Sequence, residues 1–267
     1  MGRTIAIANQ KGGVGKTTTA INLSAALAAA DCRVLIVDCD PQANASSGLG
    51  FSQLGEDQPT LYEILIDGVE CDKATLQTKV EQLDLIPSSR NLAGANIELV
   101  DVSDRERTLQ TRLAGVTESY DFTFLDCPPA LDLLTLNALV AADSVLIPIQ
   151  CEYFALEGIS ALLDTVERVR ASWSPDLAVE GVLLTMFDER TTLTRQVASD
   201  LHEFFGDQVY DTVIPRNVRL AEAPSHGSSI IQYDLRSRGA EGYLSLAREI
   251  LFRQGKRARA GQAASQE

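Results

Sequence analysis

A glycine-rich turn between an apolar strand pattern and a helical pattern constrains the fold of this chain more than any other feature. The apolar run 4–8 leads into the turn Gln-Lys-Gly-Gly-Val-Gly-Lys-Thr-Thr at residues 10–18, and a helical pattern occupies 17–30. Glycines let the backbone N–H groups of such a turn converge on phosphate oxygens, and the start of the helix adds partial positive charge. A strand, a glycine-rich turn and a helix in this order predict a phosphate-binding loop in an α/β protein.

The side chains at the end of the turn suit a nucleotide that carries a metal ion. We expect Lys16 to reach the β- and γ-phosphates and the hydroxyl of Thr17 to bind Mg²⁺. A glycine turn that precedes a helix by chance has no need of Lys-Thr at this point. We therefore predict ATP and Mg²⁺ as cofactors, and we expect the following residues to bind the nucleotide: Lys11, Gly12, Gly13, Val14, Gly15, Lys16, Thr17 and Thr18.

Short apolar runs alternate with helical patterns along the rest of the chain. This alternation predicts a single P-loop NTPase domain of the α/β class, with a mainly parallel twisted sheet and helices on both faces. The predicted strands are 4–8, 33–37, 83–86, 122–125, 144–149, 182–185 and 209–213. The predicted helices are 17–30, 105–114, 133–142, 156–171, 193–205 and 241–253. We expect 43–59 to be an irregular surface connection, 1–253 to form the domain, and 254–267 to be a disordered polar tail.

Bulk properties exclude several classes of protein. The N-terminus lacks the pattern of a secretory signal, and the longest apolar runs fall short of the roughly 20 residues that a membrane-spanning helix needs. The five cysteines include no Cys-x-x-Cys pair, and the two histidines are far apart, so neither a disulfide framework nor a metal cage is indicated. A cytoplasmic protein with no integral membrane association is expected.

The charge of the chain is unevenly distributed. The formal net charge of −14 argues against nucleic-acid binding, yet the stretch 214–259 carries nine Lys and Arg against four Asp and Glu. A local basic surface on an acidic protein is therefore compatible with the sequence.

Three carboxylates follow predicted strands at the edge where open α/β sheets bind ligands. Asp38 and Asp40 follow the strand 33–37, and Asp126 follows the strand 122–125. Hydrolysis of a phosphoanhydride requires groups that position water and hold the water shell of a metal, and carboxylates suit both tasks. The alternative for Asp38 and for Asp126 is a structural role as the cap of a turn.

The loop departs from the strict phosphate-binding pattern, because Gln10 replaces its first glycine and Lys11 follows at once. It resembles the deviant Walker A motif of the ParA/MinD superfamily. The chain resembles ParA/Soj-type partition ATPases from its first strand to about Arg253, and the segments that carry this likeness are 38–44, 126–129, 184–188, 214–219 and 222–227.

The resemblance implies roles for particular residues. Lys11 would act in trans on the phosphates of a second subunit, Asp40 would take part in hydrolysis, and Asp126 would meet Mg²⁺ through water. Catalytic roles thus fall to Lys11, Lys16 and Asp40, and metal binding to Thr17, Asp40 and Asp126. The adenine pocket would be lined by Met186, Pro215 and Asn217, with Phe187 nearby, and non-specific DNA contacts would fall to Arg190 and Arg219. For each arginine, a solvated or carboxylate-paired side chain is the alternative.

The chain departs from the family pattern at Asn96, Ala130 and Asp132, where Glu or Gln, Ser and Gly are expected. Asp132 would either add negative charge near the phosphates or cap a helix.

The implied function is a weak ATPase that acts as a timer. An ATP-bound homodimer would bind DNA non-specifically at the nucleoid, and hydrolysis stimulated by a ParB-type partner would release it. One alternative is a MinD-like ATPase that cycles on membranes, because the apolar face of 243–251 precedes basic residues. Another is a non-catalytic scaffold or an iron–sulfur carrier.

Overall fold

A twisted sheet of mostly parallel strands forms the centre of the computed structural model, which describes residues 2–55, 57–152 and 155–264. Seven strands lie in the order β3-β4-β2-β5-β1-β6-β7. Their bounds are β1 Arg3–Ile7, β2 Val34–Asp38, β3 Leu76–Gln77, β4 Leu83–Ile86, β5 Phe122–Asp126, β6 Ser144–Gln150 and β7 Ala178–Thr185. All neighbours pair in parallel except β3, which runs antiparallel to β4 at the edge of the sheet.

The predicted strand 209–213 is wrong. This segment runs beside β7 and makes only an isolated bridge between Val182 and Val209. The backbone N–H groups of Asp211 and Thr212 donate to the carboxylate of Glu249, at 3.0 Å each. Since a side chain takes up these donors, no continuous ladder forms with β7.

Helices connect the strands. In the described part of the chain they are α1 Lys16–Ala28, α2 Asn44–Gly48, α3 Leu61–Ile66, α4 Cys71–Ala74, α5 Leu92–Glu98, α6 Thr108–Leu113, α7 Leu133–Ala141, α8 Ala155–Ser172, α9 Thr192–Phe205, α10 Val218–Glu222, α11 Ile230–Tyr233 and α12 Arg238–Ala264. Five of the six predicted helices match α1, α7, α8, α9 and α12 in place, and the sixth becomes a 3₁₀ turn at Arg105–Arg107 followed by α6. Helix α12 crosses the predicted boundary at 253, and the division of the chain there stays a prediction.

The two faces of the sheet are buried in separate hydrophobic clusters, as strand alternation requires. Ala6 and Leu35 point into one cluster, which is covered by α3 to α9, whereas Ile5 and Ile36 point into the other, which is covered by α1, α2 and α10 to α12. The prediction of a parallel sheet with helices on both faces is confirmed. In the described residues, no helix combines the length and the apolar character needed to cross a bilayer.

Strand register brings the predicted carboxylates to one edge. Asp126 pairs with Ile7 of β1 on one side and with Asp38 of β2 on the other. The glycine-rich turn leaves the same end of β1 and enters α1 at Lys16. The carboxyl ends of β1, β2 and β5 therefore surround a single site.

Candidate functional site

The turn between β1 and α1 has the backbone of a phosphate cradle. Gly13 and Gly15 adopt left-handed backbone angles, with φ of 74° and 92°, and Gly15 caps α1. The hydroxyl of Thr185, at the end of β7, donates to the carbonyl of Val14 at 2.8 Å. Because the N–H groups at the start of α1 have no partners within the helix, the loop can direct them at an anion.

The left-handed angle of Gly13 makes a testable contribution to stability. A Cβ at Gly13 would meet no atom within 4 Å, so Gly13→Ala should cost only conformational energy, about 1 kcal/mol. Thermal unfolding without nucleotide should show a lower Tm. Gly12→Ala is the matched control, because Gly12 has no left-handed angle and its Cβ would lie 4.0 Å from that of Pro129. Equal losses in the two variants would contradict the assignment.

Lys16 is buried at the floor of the cradle. Its side chain donates to the carbonyl of Lys11 at 3.2 Å, and the residue is 7% exposed. Burial lowers the pKa of Lys16, and the nearby charges of Asp126 and Asp40 oppose that shift. A cation held among carboxylates at the base of the loop is placed to contact phosphate oxygens.

Asp126 is a fully buried carboxylate at the end of β5. Neither of its oxygens accepts a hydrogen bond from a backbone N–H group in the described part of the chain. Burial and the charge of Asp38 raise the pKa of Asp126, whereas the hydroxyl of Thr17 and the charge of Lys16 lower it. Turn capping, the alternative left open by the sequence, would need a backbone donor that Asp126 lacks. A buried carboxylate near Thr17 fits a hydrated Mg²⁺, which takes oxygen ligands and keeps several waters.

Asp38 and Asp40 make different contacts in the structure. Asp38 accepts from the N–H and hydroxyl of Ser46, at 2.8 and 2.7 Å, and the N–H of Ser88 in turn donates to that hydroxyl at 3.0 Å. Burial raises the pKa of Asp38 to about 6. Asp38 therefore fastens α2 to the end of β2. Asp40 accepts from the N–H of Gln42 at 2.9 Å through one oxygen, and its other oxygen has no protein partner among the described residues.

The side chain of Lys11 is paired with a residue outside the phosphate loop. Its ammonium lies 2.5 Å from a carboxylate oxygen of Glu152, just after β6, and both side chains are about half exposed. Its backbone N–H donates to Asn9, whose amide donates to the carbonyl of Pro148. Glu152 was not predicted from the sequence, because the contact joins residues 141 positions apart.

The predicted nucleoside pocket is built from two segments that pair with each other. The N–H of Phe187 donates to the carbonyl of Ile214 at 2.9 Å, and Met186 has a left-handed φ of 49°. Phe187 and Pro215 line a cavity of about 770 Å³. Asn217 caps α10 by accepting from the N–H of Arg219 at 2.8 Å. Adenine contacts by Met186, Pro215 and Asn217 stay a prediction.

Both predicted DNA-contact arginines are paired with carboxylates. Arg190 makes two hydrogen bonds to Asp188, at 2.8 and 2.7 Å, and it lowers the pKa of Asp188 to about 2. Arg219 lies 2.8 Å from Glu222 and 3.6 Å from Asp234. The carboxylate-paired alternative thus describes the geometry of both residues.

Two further arginines lie beside Arg190 and were not predicted individually. Arg216 and Arg238 are exposed, line the same cavity, and have no ion pair within the described residues. Arg238 begins α12, where the helix dipole disfavours positive charge. Both belong to the basic stretch 214–259, which was the only sequence signal for them.

The departures from the family pattern at Asn96 and Asp132 contact each other. The amide of Asn96 donates to one oxygen of Asp132 at 3.0 Å, and the other oxygen accepts from the N–H of Thr135 at 3.2 Å. Asp132 is therefore the N-cap of α7, as one of its two predicted roles required.

A glycine-rich turn into a helix, a buried lysine and a strand-end carboxylate, all at the carboxyl edge of a parallel sheet, define a P-loop NTPase. A family model described as "AAA domain" matches residues 2–179. The chain is 57% identical over 250 residues to the sporulation initiation inhibitor protein Soj of Bacillus subtilis. This match covers 94% of the present chain and 98% of the Bacillus protein. It is 51% identical to the chromosome partitioning protein ParA of Myxococcus xanthus, over 95% and 89% of the two chains.

The fold is also that of a solved nucleotide complex. The cobyrinic acid a,c-diamide synthase from Mycobacterium smegmatis, with bound ADP and magnesium, superposes with a TM-score of 0.81 at 36% identity, and the match covers 94% of each chain. The present chain belongs to the ParA/Soj family of chromosome-partitioning ATPases.

Proposed function

We propose that this protein is an ATP-dependent DNA-segregation ATPase whose Mg-ATP-bound form is a homodimer. The dimer binds DNA non-specifically at the nucleoid in the cytoplasm, and a ParB-type partner stimulates hydrolysis and so releases it. The names of the relatives support partitioning, and the magnesium nucleotide bound by the synthase of similar fold supports the cofactors.

Different groups of the site bind different parts of the Mg-nucleotide. Backbone N–H groups of 12–17 and the ammonium of Lys16 bind phosphate, and Met186, Pro215 and Asn217 contact the base. Mg²⁺, held by Thr17 and through water by Asp126 and Asp40, would neutralise charge on the phosphates. Asp40, with a free oxygen beside this site, positions the attacking water. We expect slow turnover without the partner, because an incomplete set of charges around the attacking water leaves much of the barrier standing.

The single observation that carries the proposal is the pairing of Lys11. A lysine that serves its own phosphates would be expected to be held within its own loop, as Lys16 is, but the ammonium of Lys11 is half-exposed and paired with Glu152. A half-exposed cation next to the loop is available to the phosphates of a second copy. This observation supports a dimer that shares the nucleotide.

Arg216 and Arg238 should contribute to DNA affinity without first breaking an ion pair. We expect Arg216→Ala and Arg238→Ala each to weaken ATP-dependent DNA binding about tenfold, and each to reduce the slope of log affinity against log salt by about 1. Filter retention of random-sequence duplexes over a salt series measures both quantities. Arg33→Ala, an exposed arginine at the amino end of β2, is the control and should change neither. If the slope is unchanged in the Arg238→Ala variant, Arg238 does not contact the DNA phosphates.

The proposed function as a whole is tested by phosphate release and DNA retention in the same preparation. We expect DNA retention only with ATP, and slow turnover that rises when DNA and the ParB-type protein of the same genome are both present. Brisk turnover of the protein alone would contradict the timer, and the absence of DNA retention with ATP would contradict the DNA function.

The membrane-cycling alternative finds little support in α12. Its apolar residues Tyr243, Leu246 and Ile250 are buried against the domain, and the hydroxyls of Tyr243 and Thr19 are 3.2 Å apart. The apolar residues packed in this way are not available to a bilayer. Co-sedimentation with anionic liposomes in the presence of ATP should therefore be negligible at a salt concentration that preserves DNA binding.

A further inference from the structure

A cavity of about 460 Å³ opens between α5, the start of α7 and the end of α8, away from the phosphate cradle. Much of its wall is apolar, from Val100, Leu131, Leu133, Leu136 and Trp173. Of the two arginines of the wall, Arg105 donates to the carbonyl of Val100 at 2.8 Å and lies 3.3 Å from a carboxylate oxygen of Glu106. Arg168 donates only to the hydroxyl of Thr165, at 3.5 Å, and has no ion pair within the described residues. The cavity therefore offers mainly apolar surface, with the positive charge of Arg168 at the end of α8.

Exposed apolar side chains continue this surface along residues 97–104. Ile97, Val100 and Val102 are 76%, 51% and 45% exposed, although the rest of the described chain has only five other large apolar side chains that are so exposed. Such clustering costs free energy in water and is typical of interaction sites.

The same segment is acidic. Glu98, Asp101 and Asp104 are exposed between the apolar residues, and the carboxylates of Asp101 and Asp104 have no ion pair within the described residues. We call the cavity and residues 97–104 together the α5–α7 groove. Its acidic rim favours a ligand with positive charge beside its apolar groups.

The groove is connected to the phosphate loop. Asp132 caps α7 and accepts from Asn96 of α5, so it joins the two walls. Leu131 and Asp132 follow Asp126 in the chain through Pro128 and Pro129, and Gly12 of the phosphate loop lies near Pro129. We expect a displacement of the start of α7 to reach Asp126 along this short path.

We propose that the α5–α7 groove binds an amphipathic segment of the partner protein, with its apolar side chains in the cavity and its Lys and Arg side chains on the rim. Binding acts on the nucleotide site through Asp132 and Pro129. The effect of the groove on hydrolysis rests on the proposed function. Binding of a peptide to the groove does not, because it can be measured without ATP hydrolysis.

The experiment reverses the rim charge with Asp101→Lys and Asp104→Lys in one full-length variant. The matched control is Glu81→Lys with Glu118→Lys, two exposed acidic residues at the amino ends of β4 and β5. The probe is a fluorescent synthetic peptide of 20 residues with Leu on one helical face and Lys and Arg on the other, and its partner probe carries Glu in place of every basic residue. Anisotropy measures binding, and phosphate release with DNA and the ParB-type protein measures stimulation.

We expect the basic peptide to bind wild type and the control about tenfold more tightly than the rim variant, and the acidic peptide to bind none of them. The rim variant should lose stimulation while its unstimulated turnover and DNA binding stay at wild-type values. Equal binding of the basic peptide to all three proteins, or to none, overturns the groove assignment whatever the protein does with DNA.

The remaining outcomes separate the two proposals. If the rim variant binds the peptide weakly but is stimulated as well as wild type, the proposed action of the groove on hydrolysis is overturned and the proposed function stands. If peptide binding is as expected but wild type neither binds DNA nor responds to the ParB-type protein, the proposed function fails and the groove assignment stands. A change in ATP-dependent dimer mass with unchanged peptide binding would assign the surface to a second copy of this chain.

Discussion

Replacing Asp40 with alanine is expected to stop ATP turnover while ATP binding, dimerisation and DNA retention persist. Asp40 is 6% exposed, and its charge opposes the lowering of the Lys16 pKa, so it is close to the phosphate-binding lysine. One of its oxygens is free in the described structure and can position water. Loss of such a group lowers turnover by about 100-fold or more, and phosphate release under single-turnover conditions measures this loss.

The contrast with Asp38 makes this result interpretable. Asp38→Asn keeps only one acceptor oxygen, so it must lose either the hydrogen bonds from the N–H and hydroxyl of Ser46 or the one from the N–H of Asp40, and we expect a lower Tm before any specific loss of turnover. If a folded Asp38→Asn protein lost turnover while Asp40→Ala kept it, the two roles would be reversed. If the wild-type protein hydrolyses ATP and the Asp40→Ala protein retains DNA with ATP but does not hydrolyse it, the protein is an ATPase. A scaffold that uses the nucleotide only structurally would then be excluded.

Much of the fold can be predicted because the long elements carry strong local patterns. The buried strands β1, β2, β5 and β6 read as continuous apolar runs, and α1, α8 and α9 have long helical patterns. Elements set by distant contacts could not be predicted. Strand β3 has only two residues, and 209–213 resembles a strand until Glu249 takes up its donors.

The functional site likewise has parts that the sequence predicts and parts that depend on distant contacts. The phosphate loop is contiguous in sequence, so its spacing alone predicts the cradle and the roles of Lys16 and Thr17. The separation of Asp38 from Asp40 depends on Ser46, and the partners of Lys11 and Asp132 are distant in the chain. Likewise, sequence identifies a basic stretch but cannot tell paired arginines such as Arg219 from unpaired ones such as Arg238.

Substitution of Lys11 by glutamine should have a different consequence from the same substitution at Lys16. Lys16 lies at the floor of its own cradle, so Lys16→Gln should lose nucleotide binding itself. Lys11→Gln should still bind a fluorescent ATP analogue within a few-fold of wild type, because its ammonium lies outside the cradle. Its turnover should fall about 10³-fold, as it does when a trans-acting arginine is removed from a related site, and ATP-dependent dimer mass should fall with it. Loss of analogue binding in Lys11→Gln would place this lysine in its own site.

Mixing two inactive variants decides whether Lys11 acts across the dimer. In a heterodimer of Lys11→Gln with Asp40→Ala, the nucleotide on the Lys11→Gln subunit meets its own Asp40 and the Lys11 of the other subunit, so that site is complete. The second site lacks both groups. Turnover should therefore return on mixing, in proportion to the fraction of heterodimers, although each variant alone is inactive. If Lys11 served its own nucleotide, each site of the heterodimer would lack one group and mixing would restore nothing. Because Asp40→Ala retains the ATP-bound dimer, it supplies the partner that Lys11→Gln cannot form with itself, and recovery of activity then requires a nucleotide shared between subunits.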